Sequence, residues 1–316
     1  MGDRGQRDRG LQVEIKGSGG DLTVVCVTGG TGFIGRHVVA RLVENGEKVR
    51  VAARGGRKAD LPAGVEQVPA DVVSGEGLPE AMAGVDSVAH LVAIIAEKGG
   101  QRFDAVIRGG TANVVSEAEK AGVKKLVYVS AIGAGPDPKL PYWHAKWQAE
   151  QTMTASGLDY TIIRPSLVFG PEDDFFNRLG RLVRRAPVVP VAGDGKTRFQ
   201  PIWVEDVVSC VVACLNEGTH DREIVEIGGP EYYSYNEIID LIRQKLGVRR
   251  PKAHIPLWLM RPAARVLQAV LPSPPVTTDQ LAMLSKDNVT ALDAVPKAFG
   301  FTPASFREAP PSSALA

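Results

Sequence analysis

The stretch LTVVCVTGGTGFIG, residues 22–35, restricts the fold of this chain more than any other segment. Leu22–Thr28 is a near-continuous apolar run, as expected of a central parallel strand buried on both faces. Gly29, Gly32 and Gly35 follow it in G-x-x-G-x-x-G spacing. Residues 33–45 then take helical periodicity, with Ile34, Val38, Leu42 and Val43 on one side. A strand that turns at once into a helix, with bare backbone at the turn, needs glycine there. The helix N-terminus presents unpaired N–H groups and the positive end of a dipole, which suits phosphate. In this context the pattern predicts a dinucleotide site made by Gly29, Thr31, Gly32, Phe33, Ile34 and Gly35.

Strand and helix patterns alternate from there on. Lys48–Ala53, Val65–Pro69, Asp86–Val92, Lys125–Ser130 and Tyr160–Arg164 read as further strands, with helical spacing over Phe103–Ala121 and Tyr142–Ser156. The rhythm predicts an α/β fold, a Rossmann-type doubly wound parallel sheet with right-handed crossovers, over residues 21–170. It loosens after Arg164. Residues 175–185, 204–216 and 236–246 keep helical spacing, and Arg198–Trp203 reads as a short strand. Residues 171–305 are expected to form a smaller cap or substrate region over the carboxyl ends of the strands, with 198–216 returning to the nucleotide domain. Residues 1–20 mix both charges with glycine and lack an apolar core, so they read as a tail and not a signal peptide; residues 306–316 also read as a tail.

The end of the second strand selects the dinucleotide. A site for NAD(H) places a carboxylate there for the ribose hydroxyls. This chain has Ala52, Ala53 and Arg54, with Arg57 and Lys58 close behind. A guanidinium matches a 2′-phosphate in charge and geometry, so NADP(H) is expected to be preferred, with NAD(H) as the alternative. Asp71, followed by Val72, comes just after the third strand and is placed to accept a hydrogen bond from the adenine amino group.

Tyr142 and Lys146 are four residues apart on one helical face. A cation beside a phenol favours phenolate and makes a usable general acid/base. His144 lies off that face and is read as structural.

TGGTGFIG, Asp71-Val72, His90-Leu-Val-Ala93, Tyr142-x-x-x-Lys146 and Arg164-Pro165 resemble the extended or atypical short-chain dehydrogenase/reductases, which include the NAD-dependent epimerase/dehydratases. The block from Arg164 to Asn177, with Gly193–Lys196 and Pro201–Asp206, is similar to bacterial relatives of the short-chain-dehydrogenase-like accessory subunit of respiratory complex I. The resemblance covers about residues 22–300. It implies Tyr142 as catalytic acid/base, Lys146 as its partner and nicotinamide-ribose ligand, and Ser130 as the third catalytic residue. Ile132 stands where many extended members carry the catalytic hydroxyl. Three functions follow from it: an NADPH-dependent reductase or dehydrogenase for a small carbonyl, hydroxyl or quinone-like substrate; a nucleotide-binding accessory or assembly factor of a membrane electron-transfer complex; and, third, a sugar-nucleotide epimerase or dehydratase.

Composition excludes other classes. Thirty-seven Lys and Arg against 36 Asp and Glu leave a net charge of +1, so no whole-molecule field draws nucleic acid. Cys26, Cys210 and Cys214 show no metal spacing and read as buried thiols of a cytoplasmic protein. No stretch is long and apolar enough to cross a bilayer. Residues 255–272, IPLWLMRPAARVLQAVLP, carry Arg261, Arg265 and Gln268 on one narrow stripe. That segment is expected to be a peripheral contact with a membrane or a respiratory complex, at the inner face of the membrane, or else the apolar wall of a substrate pocket.

Overall fold

The computed structural model describes residues 23–55, 61–270 and 277–308. The first half runs β1 (Val24–Thr28), α1 (Phe33–Glu44), β2 (Lys48–Ala53), β3 (Glu66–Pro69), α2 (Leu78–Met82), β4 (Ser87–His90), a π-helical turn (Asp104–Gly109), α3 (Gly110–Ala121), β5 (Lys125–Val129), α4 (Pro141–Thr154) and β6 (Asp159–Pro165). The second half runs β7 (Val168–Phe169), α5 (Asp174–Arg185), β8 (Val189–Ala192), β9 (Arg198–Phe199), β10 (Ile202–Trp203), α6 (Val204–Cys214), β11 (Glu223–Ile227), β12 (Tyr233–Ser234), α7 (Tyr235–Lys245), β13 (Lys252–Ile255), α8 (Leu257–Val270), α9 (Thr278–Met283) and α10 (Ala294–Phe299).

Seven strands form one parallel sheet in the order β11-β6-β5-β4-β1-β2-β3. Side chains alternate across it. Val25, Val27, Val49, Val51 and Val127 face the layer of α1 and α6, whereas Cys26, Val88, Leu126, Tyr128 and Ile162 face that of α2, α3 and α4. Both faces are covered, which is why these strands read as unbroken apolar runs. The order reverses direction between β1 and β4, and Thr28 aligns there with His90. Ligands of such sheets bind at this crevice, beyond the carboxyl ends of the strands.

The second half contributes to this sheet twice. Helix α6 packs against α1, where Glu205 accepts from His37 at 2.5 Å and Arg41 at 2.9 Å. Strand β11, which periodicity does not reveal, pairs with β6 and extends the sheet. The remainder is built on a separate apolar cluster in which Phe169, Phe176 and Phe306 meet with ring centroids 4.8 to 6.0 Å apart. Three two-stranded pairings, β7 with β10, β8 with β13 and β9 with β12, frame it. All three cysteines are free and buried; burial pushes the thiols of Cys26 and Cys214 up to about 12, so they stay protonated and inert.

Candidate functional site

The glycine turn is dictated by space. Gly29 has φ of +76°, and a Cβ there would lie 2.9 Å from the Val92 nitrogen, two residues past β4. At Gly35 a Cβ would come within 2.1 Å of the Gly29 carbonyl oxygen, so only glycine lets α1 abut the turn. Gly32, the N-cap of α1, is exposed and provides no side-chain cap, and the first turn of the helix contains no acid. Open N–H groups at the head of a helix, with no competing carboxylate, fit a pyrophosphate. Thr31, Phe33 and Ile34 are half-buried around that opening.

Arg54 is exposed one residue past the end of β2, and Arg57 and Lys58 lie outside the described residues. Asp71 follows β3, whose next residue, Ala70, donates its N–H to Ala53. One carboxylate oxygen of Asp71 accepts from the Val73 N–H at 2.8 Å. It thereby shapes its own turn, and its second oxygen remains for a ligand. Val72 is buried below it against Gly110, where a Cβ would be 2.9 Å from Cγ2 of Val72.

Tyr142 and Lys146 sit on the buried face of α4, which begins with Pro141 in its first turn. The Tyr142 ring meets Phe103 edge-on at 5.7 Å. Beside it opens a small pocket walled by Leu140, Trp143, Ala282 and Met283, with Asp279 at its margin. Lys146 Nζ donates to the Val129 carbonyl at 2.7 Å and lies 4.7 Å from the centroid of Tyr128. The sequence expectation that Lys146 pulls the phenol down is corrected by this geometry. Burial pushes Tyr142 up to about 12 and pushes Lys146 down to about 7, with Glu150 opposing the latter. Desolvation penalises each charged form and is the leading cause of both shifts.

Ser130 is buried at the end of β5 and donates its hydroxyl proton to Glu150 on α4. Ile132 is buried two residues on, its N–H donating to the Pro165 carbonyl. Three groups to which the sequence reading gave no site role complete this region, although it quoted His90 within a motif. Glu150, fully buried, receives a bidentate pair from Arg164 at 2.9 and 2.6 Å. His90, also fully buried, lies between the hydroxyls of Thr28 (2.6 Å) and Thr111 (3.0 Å) and stacks on Tyr128. Burial, aided by the charge on Lys146, pushes His90 down to about 3, so the ring is neutral. Asn288, from the C-terminal segment, donates to the Ile132 carbonyl at 3.1 Å and accepts from the Ser166 hydroxyl at 2.9 Å. Only the four-residue step from Lys146 to Glu150 was open to a local reading; the other contacts are long-range.

Sheet, switch point and glycine turn define a dinucleotide-binding protein of the Rossmann fold. A family model described as NAD(P)H-binding matches residues 29–217, and the chain belongs to that family. It is 28% identical over 301 residues to the NADH dehydrogenase [ubiquinone] 1 alpha subcomplex subunit 9, mitochondrial, of Arabidopsis thaliana, covering 89% of this chain and 75% of that one. It is 29% identical over 267 residues to the sterol demethylase protein B of Methylococcus capsulatus, covering 74% and 78%. Among solved structures, the UDP-glucose 4-epimerase of Thermus thermophilus in complex with NAD shares the fold, with a TM-score of 0.62 at 23% identity over 83% of this chain and 97% of that one. Among the described residues no helix is long and apolar enough to cross a membrane, and no group of His, Cys, Asp and Glu is arranged to hold a metal.

Proposed function

We propose that this chain is an NADPH-preferring oxidoreductase that reduces a carbonyl on an apolar small molecule. Tyr142 carries the reading: a phenol whose burial keeps it protonated, beside an apolar pocket. The nucleotide, when bound, supplies the hydride. Tyr142 holds a proton at Oη and donates it to the substrate's carbonyl oxygen. A phenol resting in its acid form suits reduction better than oxidation. Lys146 spends one N–H on Val129 and keeps its remaining N–H for the nicotinamide ribose. The hydroxyl of Ser130 gives its single proton to Glu150, so its part in catalysis is to position and not to polarise the carbonyl. The head of α1, from Gly29 to Gly35, holds the pyrophosphate, and Arg54 meets the 2′-phosphate. The Methylococcus relative is named for a sterol, a molecule of the apolar class.

A second reading is favoured by the engagement of Ser130 with Glu150 and by Ile132, and by the Arabidopsis relative's name as a subunit of a larger assembly. On that reading the chain binds the nucleotide as a structural charge and turns nothing over. One experiment separates the two. NADPH and NADH are titrated by fluorescence, and NADPH consumption is followed with a panel of ketosteroids, cyclic ketones and quinones. The native chain is expected to consume NADPH with at least one of them, and Tyr142→Phe to lose roughly 10²–10⁴ in turnover while still binding NADPH. Arg54→Ala is expected to weaken NADPH by about tenfold or more and leave NADH unchanged. Tight NADPH binding without turnover on any carbonyl selects the accessory reading. Equal affinity of the native chain for both nucleotides removes the role given to Arg54.

A further inference from the structure

We infer that α8 is a docking element for an anionic membrane surface. The inference goes beyond the proposed chemistry and holds whether or not the site turns over. Among the described residues, the three most exposed large apolar side chains all lie on this helix: Trp258 at 71%, Val266 at 63% and Leu259 at 48%. At about 100° per residue, Trp258, Pro262, Val266 and Leu259 fall within one arc of about a quarter-turn to a third. The opposite side is held by the protein, with Ala264 only 1% exposed and Met260 and Leu257 packed on the cap core. The apolar arc is thus turned outward, against the ordinary sense of an amphipathic helix in a globular domain.

Charge says what would cover it. Arg261 and Arg265 are exposed and, one turn apart, border the apolar arc along one edge. From Leu241 to Thr278 the chain contains seven Lys and Arg and no Asp or Glu, while the whole molecule has a net charge of only +1. Within that stretch Arg243 and Lys252 are paired to Asp240, which precedes it. Among the described residues α8 thus exposes its apolar arc within a stretch of chain of positive net charge, bounded by Asp240 and Asp279. A tryptophan on an outward face, flanked by arginines, suits the boundary between headgroups and acyl chains of an acidic leaflet, where ring and guanidinium each find their medium. A second copy of the chain is a poorer cover, since a two-fold contact would bring α8 against α8 and oppose like charges. At 14 residues the helix is too short to span a bilayer, so it would lie in the plane of the surface.

The test is flotation of the full chain with phosphatidylcholine vesicles, with and without about one-third phosphatidylglycerol. The native chain is expected to float with the anionic vesicles, and to stay behind with the neutral ones or in high salt. Trp258→Ser/Val266→Ser and Arg261→Gln/Arg265→Gln should each lower the partition by about tenfold or more, with thermal melts unchanged because all four side chains are exposed. A native chain that stays in the soluble fraction with anionic vesicles overturns the inference. Equal flotation of the native chain and both variants does so as well. Native mass spectrometry covers the remaining case: a dimer abolished by the serine changes, with no lipid binding, assigns the face to a second copy.

Discussion

Lys146 is coupled to two buried polar clusters that solve the same problem in opposite ways. Thr28, His90 and Thr111, fully buried at the β1/β4 crevice, avoid charge: the imidazole stays neutral between two hydroxyls. Glu150 and Arg164, under the ends of β5 and β6, form a two-point ion pair to which Ser130 adds a hydroxyl. Arg164 also reaches Glu226 on β11 at 3.5 Å, so the charged cluster ties the edge strand to the site. A neutral group can be inserted beside a lysine at the cost of its basicity, whereas a buried carboxylate must bring its own cation. The lysine's own shift reflects both surroundings, lowered by burial and partly restored by Glu150.

The sharpest way to break this contrast is to remove one member of the charged cluster. Glu150→Ala strands the Arg164 guanidinium and is expected to cost about 3–5 kcal/mol in urea unfolding. Glu150→Met/Arg164→Met should recover most of that loss, because no buried charge of the pair is left behind and Glu226, which loses its contact with Arg164, is exposed enough to be hydrated. A double variant as unstable as the single one would mean that packing, and not charge pairing, is what Glu150 provides.

The neutral cluster should reveal itself through pH. His90 has a folded pKa of about 3 against an ordinary 6.5, so its contribution is complete above 6.5 and is lost as pH falls towards 3. Between pH 7 and 5 the native chain should therefore lose about 2 kcal/mol more than His90→Gln does. Asp173 and Asp206, pushed up to about 6 by burial, act in the opposite direction and stabilise as pH falls through that value. They are common to both proteins, so the difference between native chain and variant isolates the histidine. Parallel pH profiles would show that His90 can take up a proton in the fold. The smallest effect belongs to Thr111→Val, which removes one hydrogen bond to a neutral ring: about 1 kcal/mol at pH 7, with the slope against pH unchanged.

The parts of the molecule legible in the sequence are those fixed by local backbone demands. Gly29 and Gly35 are set by a positive φ and a close approach within a few residues, and the strands from Val24 to Pro165 are marked by burial on both faces. Strand β11 escaped because Glu223–Ile227 (EIVEI) at the sheet edge carries its two charges three residues apart, off the period of two, and follows a turn in which His220 and Arg222 have positive φ. The π-helical turn at Asp104–Gly109 was hidden inside a pattern that reads as one helix over Phe103–Ala121. Helical spacing in residues 255–272 located α8, but spacing alone does not say that its apolar arc faces outward. Tyr142 and Lys146 were visible as a pair. Their shifted acidities were not, because these depend on the packing of Phe103, Tyr128 and Val129 around them.

Asn288 has a consequence for the order in which the molecule can be made. Its partners Ile132 and Ser166 lie 156 and 122 residues earlier in the chain. As the polypeptide leaves the ribosome, the glycine turn and strands β1 to β6 can assemble while the residue that fastens the ends of β5 and β6 has yet to be synthesised. Closing loops of that length is slow compared with building neighbouring βαβ units. The nascent protein therefore passes through an interval in which the glycine turn and sheet are formed and the ends of β5 and β6 are still unlatched, with the ring of Trp143, which Met283 and Lys286 later approach, less protected than in the finished fold.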